Sequence, residues 1–207
     1  MKYKYKNITV SQKGLSLIES AMVLAISATI TSGILYYYNH AKENRELEEG
    51  IKQIQTIAAT INKLYSNSVT PPADGNANDA TIDAIASVSG LKTVKEGNQK
   101  VFVSATGKHT QLKWMTNSQK RRVALLSTHA RSISSCMSYA ILNLGTLMAS
   151  KTRVTHNGQN IDKPGFDNSL EKPYYLTPSE ASQQCEFAYD AMNGDGQSII
   201  INYTIMY

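Results

Sequence analysis

Glu19 stands at the edge of the longest uncharged run in the chain: from Ser20 to Ala41 there is no Asp, Glu, Lys or Arg. As a helix this run would span about 33 Å, against a hydrocarbon thickness of roughly 30 Å, so one helix could cross a bilayer. A carboxylate at the mouth of such a segment is unfavourable unless a cation compensates it. The chain offers a source for one. Gly14 lies just ahead of the apolar run, and cleavage after it would free the amine of Leu15 one helical turn from Glu19. That amine, or the amine of a neighbouring copy, could neutralise the carboxylate, and a pair between copies would favour one axial register. The plainer alternative is that Glu19 is the boundary charge of a signal anchor. A secretory signal peptide is cut after its apolar stretch, whereas a cut at Gly14 would leave the apolar segment on the mature protein.

Other chemistry is poorly supplied. His40, His109, His129 and His156 are scattered without metal-ligand spacing, and there is no Cys-x-x-Cys pair, nucleophile elbow or phosphate-binding glycine loop. The sequence therefore nominates no catalytic residue, metal or cofactor. Asp190 to Gly196 carries oxygen ligands near glycine but lacks the full calcium-loop pattern, and reads as a helix-to-strand turn. Asn202-Tyr203-Thr204 has the form of a glycosylation triplet, yet its strand-like setting makes Asn202 an ordinary cross-strand residue.

The run Gly14-Leu15-Ser16-Leu17-Ile18-Glu19-Ser20-Ala21-Met22-Val23-Leu24-Ala25, behind a basic leader, resembles the precursors of type IV pilins. Leu15, where many members have phenylalanine, points to the type IVb branch. Weaker echoes are Leu142-Asn143-Leu144-Gly145 beyond Cys136, and Thr177-Pro178 with Glu180 before Cys185. The resemblance implies that residues 1–14 are a cleaved leader, Gly14 the cleavage glycine, Leu15 the N-methylated first residue and Glu19 the assembly glutamate. It also implies partners: further copies in a helical filament, a prepilin peptidase, and an assembly platform with its ATPase. The inner membrane would hold the precursor, and a host surface or other pili could meet the filament.

Charge gives the orientation. Lys2, Lys4, Lys6 and Lys13 precede the apolar run and the leader has no acidic residue, so the positive-inside tendency keeps the leader cytoplasmic and sends the remainder outward. Without those lysines, 21 basic residues against 16 acidic become 17 against 16, so the formal charge of +5 is mostly leader. Lys113 and Lys120-Arg121-Arg122 remain as a local basic cluster, read as a solvated or subunit-facing patch; no nucleic-acid partner is expected.

The elements that must position these residues begin with the helix. Leu47, Ile51, Ile54, Ala58, Ile61 and Tyr65 recur at alternating four- and three-residue spacing, one face of a helix, and no proline precedes Pro71. Residues 15–66 are expected to form one helix of roughly 78 Å, apolar all round over 15–41 and striped beyond. Gly33, Gly50 and the Ser27 to Ser32 cluster are places where it could bend, or where neighbours pack closely. Pro71 to Gly75 ends it.

Residues 67–207 then form a globular head. Asn78 to Val88 reads as a short helix stopped by Gly90. Val101–Val103, Gln111–Met115, Arg122–Leu126, Lys151–His156, Gln159–Ile161 and Gln197–Met206 read as strands, with Asn157-Gly158 a two-residue turn and Ile199-Ile200-Ile201 marking a central or well-covered strand. The expected fold is α+β, a long N-terminal helix on an antiparallel sheet. Cys136 falls in a helix-like stretch from about Ala130 to Asn143, and Cys185 in another opened by Thr177, Pro178 and Glu180, a capping-box pattern. An exported domain permits a bond between them, worth about 4 kcal/mol in the chain-entropy model; two unrelated buried thiols are the alternative. By the resemblance, residues 136–185 form a D region that supplies subunit and surface contacts.

The expected function is thus a type IVb pilus structural subunit, not an enzyme, inserted as a single-pass precursor and assembled into an extracellular filament for adhesion or aggregation. A minor pilin or secretion pseudopilin would share the first 40 or so residues. A permanently anchored periplasmic binding protein would keep its leader.

Overall fold

A computed structural model describes residues 16–104, 107–117, 119–156, 159–160, 174–190 and 199–207. Gly14, Leu15, the leader lysines, the expected Asn157-Gly158 turn and all but Asp190 of the turn expected over Asp190 to Gly196 lie outside the described residues. Helix α1 runs Leu17–Tyr65 without a break. The chain divides into two compact units, the first ending at Asn44 and the second running Arg45–Tyr207.

In the first unit every described side chain is exposed, including Leu17, Ile18, Leu24, Ile34 and Leu35. The helix is long and apolar enough to cross a membrane. Its hydroxyls do not interrupt it. Ser27 Oγ donates to the Val23 carbonyl at 2.7 Å, Thr29 to Ile26 at 2.8 Å, Thr31 to Ser27 at 2.7 Å and Ser32 to Thr29 at 2.9 Å. Each polar group thus finds a partner on its own helix, which is what an apolar solvent demands.

The second unit is built on an antiparallel sheet. Its strands are β1 Gly75–Asn76, β2 Thr93–Glu96, β3 Gln99–Val103, β4 His109–Thr116, β5 Arg122–Ala130, β6 Arg153–His156, β7 Gln159–Asn160 and β8 Ile199–Met206. The order is β2-β3-β4-β5-β8-β6-β7, with β1 pairing β4. β8 enters between β5 and β6, matching Val123 to Met206 through Ala130 to Ile199 on one side and Arg153 to Asn202 on the other. Its Ile199-Ile200-Ile201 run therefore is central, as expected.

Alternation along β4, β5 and β8 turns Leu112, Trp114, Leu126, Ile201, Tyr203 and Ile205 to one face, where they share a core with Ile54, Ile57, Ala58 and Ile61 of α1. Burial of each large aliphatic side chain contributes about 2 kcal/mol. Gln53, buried on the same helix face, donates from Nε2 to the Val103 carbonyl at 2.8 Å, so its amide is not stranded. Where α1 ends, Tyr65 meets Trp114 edge-on at 5.0 Å, and Trp114 meets Tyr207 at 4.9 Å.

Helix α2, Asp79–Ser89, is fixed at both ends: Asn78 Oδ1 accepts from Thr81 N–H, and Gly90 takes a left-handed φ of 70° while its N–H closes on Ala86. Helix α3, Ile133–Ala140, is shorter than the expected stretch from Ala130, because β5 holds its pairing to β8 through Ala130 and Ser132 then caps the helix. Helix α4, Pro178–Asp190, has proline at its first position. β1 and β2 were not among the expected strands.

Candidate functional site: the capped apolar helix and the disulfide-closed head

At the start of α1, Ser16 and Glu19 form a reciprocal cap. Ser16 N–H donates to Glu19 Oε2 at 2.8 Å, and Glu19 N–H donates to Ser16 Oγ at 3.2 Å. Two of the helix's free N–H groups are satisfied in this way. The cap also turns the Glu19 carboxylate back toward the residues before Leu17. The Ser-x-x-Glu spacing was available in the sequence as a capping box, but reading Glu19 as a charge alone passed over it. Seventeen positions on, Tyr36, Tyr37 and Tyr38 are exposed at the far end of the apolar run, the amphipathic aromatics expected where hydrocarbon gives way to water.

In the head, Cys136 on α3 and Cys185 on α4 are disulfide-bonded, with Cα atoms 5.9 Å apart and a separation of 49 positions in sequence. Both are fully buried. The cap of α4 is the expected one: Thr177 N–H donates to Glu180 Oε2 at 2.8 Å, and Glu180 N–H to Thr177 Oγ1 at 3.3 Å. Lys151 Nζ adds a contact to Glu180 Oε1 at 2.6 Å, tying the approach to β6 onto α4. Burial alone would raise the Glu180 carboxyl, but the Lys151 ammonium and the Thr177 donors outweigh it and hold the group below its ordinary range.

A second tie was not legible beforehand. Tyr139, three residues after Cys136, lies buried against Gly50 of α1; a Cβ at position 50 would collide with the Tyr139 hydroxyl. Burial, helped by the charge of Glu46, pushes the Tyr139 phenol up to about 12, so it stays neutral. The Tyr139 carbonyl accepts from the Tyr203 hydroxyl at 2.7 Å. Gly50 is thus a close-packing position. At Gly33 nothing approaches within 4 Å, and neither glycine interrupts the helix.

The histidines are not brought together as a site. His109 Nδ1 pairs with Glu96 at 2.8 Å, and His129 Nδ1 bonds the His109 carbonyl at 2.8 Å. Among the described residues no group of three or more His, Cys, Asp or Glu could hold a metal. Asn202 is a cross-strand residue: it accepts from Ser127 Oγ at 2.6 Å and donates to Thr155 Oγ1 at 2.9 Å.

No protein-family model matches the chain. It is, however, 31% identical over 179 residues to the major structural subunit of bundle-forming pilus of Escherichia coli O127:H6 (strain E2348/69 / EPEC), across 84% of this chain and 88% of that protein. The chain belongs to the bundle-forming-pilus branch of the type IVb pilins. The corresponding pilin of Escherichia coli O111:H- is 29% identical over 183 residues, with the same coverage of both chains. A crystal structure of the type IV b pilin from Salmonella typhi superposes with a TM-score of 0.51 at 13% identity, covering 74% of this chain and 95% of that one. That likeness concerns the fold: a long helix and an antiparallel sheet. In this pilin the disulfide between Cys136 and Cys185 is the one expected from the sequence.

Proposed function

We propose that the protein is a structural subunit of a type IVb pilus, held in the inner membrane as a single-pass precursor and assembled into an extracellular filament. The observation that carries this reading is the likeness to bundle-forming pilus subunits over most of both chains. A peptidase cuts after Gly14, Leu15 becomes the N-methylated first residue, and α1 is then drawn from lipid into a bundle of like helices. Hydrocarbon is as apolar as the helix, so the gain on transfer comes from packing and from the charge pair rather than from the hydrophobic effect. Glu19 supplies that pair. Its cap to Ser16 directs the carboxylate toward the amino end, where the freed amine of Leu15 or of a neighbouring subunit can meet it. An assembly platform and its ATPase provide the work.

Intact-mass and amino-terminal analysis of filaments sheared from cells tests this. A dominant species beginning at N-methylated Leu15 is expected for a major subunit. A trace of the same species would make it a minor pilin, and an intact Met1 chain confined to the inner membrane would overturn the reading.

A further inference from the structure

One face of the sheet has no partner among the described elements. α3 and α4 share the core with Val154, Ile201 and Tyr203, on the same side as α1. The opposite face carries Lys113, Leu125 and Thr204 in one cross-strand row and Gln111, Ser127, Asn202 and Arg153 in the next. All of these but Lys113, which stands exposed beside it on the same face, line a groove of about 490 Å³ with apolar ground at Met115 and Ile200. Ser127, Asn202 and Thr155 satisfy one another. Arg153 is half-buried at the groove, and its side chain has neither an ion pair nor a hydrogen bond among the described residues. A guanidinium so placed is a ready fork for a carboxylate.

The charge around it is one-sided. Between Glu96 and Asp162 the chain has nine Lys and Arg and no acidic residue, and this stretch contributes β3 to β6. α4 has the opposite character, with Glu180, Glu186 and Asp190 and no basic residue. Glu186, Phe187 and Asp190 lie exposed along one side of α4, Phe187 at 45%. α4 sits across the sheet from the groove, so a chain's own α4 cannot enter it.

We infer that the open sheet face around Arg153 is a docking surface for the Glu186–Phe187–Asp190 face of α4 on a second copy of this chain, in a neighbouring filament. The inference rests on the filament reading above. Arg153 and Lys113 receive the carboxylates, and Phe187 covers the apolar ground between them. The two surfaces differ, so the contact is heterologous and each joined pair retains one free surface of each kind. Contacts of that type propagate laterally, which is how filaments become sheaves.

The test uses piliated cells expressing the full chain, with individual and laterally associated filaments counted by electron microscopy. Arg153→Glu alone and Asp190→Arg alone should each reduce lateral association roughly fivefold, about 1 kcal/mol, with filament number unchanged. Mixing the two strains should restore it, because the reversed charges then meet. Lys113→Glu, at an exposed position, repeats the test should Arg153→Glu misfold. Raising salt toward 1 M, where the Debye length falls to about 3 Å, should disperse wild-type bundles. Undiminished association in the single variants, or no recovery on mixing, overturns the inference while the filament reading stands. Absence of wild-type filaments containing this chain overturns that reading instead.

Discussion

The hydroxyl of Tyr139 occupies the space that a side chain at Gly50 would need. Helix α1 therefore meets the first element of the disulfide-bounded segment through a glycine, and the two cannot be separated by so much as a methyl group. Gly50→Ala would gain about 1 kcal/mol of helix propensity and lose about 1–3 kcal/mol to overpacking. A net fall in Tm is expected in thermal denaturation. Combining it with Tyr139→Phe should recover part of the loss, since the phenol oxygen is the nearest atom while Cζ and Cε1 remain at 3.0 and 3.3 Å. An unchanged Tm in Gly50→Ala would mean that Tyr139 moves aside freely.

Removing the bond between Cys136 and Cys185 by replacing both with serine should cost about 4 kcal/mol, the chain-entropy value for a closure of 49 residues. Denaturant unfolding with and without reductant checks this. Wild type should shift on reduction and the double-serine variant should not.

Glu180 makes the head acid-sensitive in a defined direction. Its carboxyl is held below the ordinary range, so its contribution is fully present above the unfolded value of about 4.3 and disappears as pH falls through the lowered folded value. The group is 32% exposed, so the effect is about 1 kcal/mol or less. Glu180→Gln keeps an acceptor for Thr177 and loses the charge. Melting curves at pH 7 and pH 3 should therefore differ less for the variant than for wild type, and equal differences would remove Glu180 from the account.

Ser16 and Glu19 separate capping from charge. Ser16→Ala removes one cap hydrogen bond, worth about 1 kcal/mol of helix start, and leaves the carboxylate. Glu19→Gln keeps a capping acceptor and removes the charge. Both should be processed at Gly14, but only Glu19→Gln, like Glu19→Val, should enter filaments poorly. Gly14→Leu should leave an uncut precursor in the membrane. Gel analysis of sheared and membrane fractions reads all four, and normal incorporation of Glu19→Gln would refute the charge pair.

Trp114 is the only tryptophan in the chain and is packed between Tyr65 and Tyr207. Tyr207→Ala should uncover it and shift its emission to longer wavelength in the folded protein; an unshifted spectrum would place the shielding elsewhere.

Sequence and structure agree where one local rule decides the outcome. Asn78 and Gly90 bracket α2, Thr177 and Glu180 open α4, and the Ile199-Ile200-Ile201 run marks a strand covered on both sides by neighbours. They part where pairing decides. Thr93–Glu96 has one large apolar residue and no alternation, because it is an edge strand whose only demand is to hydrogen-bond β3. Gly75–Asn76 is strand solely by virtue of Trp114 and Lys113 opposite. Ala130 looks helical in isolation, yet its partner Ile199 keeps it extended until Ser132 caps α3. The contact of Tyr139 with Gly50 was invisible for a related reason: the glycine signals space, and only the fold says what fills it.

The covalent link between α3 and α4 sets a mechanical limit as well as a thermodynamic one. When a subunit is stretched until its head begins to unravel, the 49-residue separation between Cys136 and Cys185 cannot lengthen, which withholds about 170 Å of extended chain. Single-molecule pulling should show a contour increment shorter by that amount than in the reduced protein. A fibre built of such links would yield under load by a bounded extension at each subunit, and would stiffen before its head domains were lost.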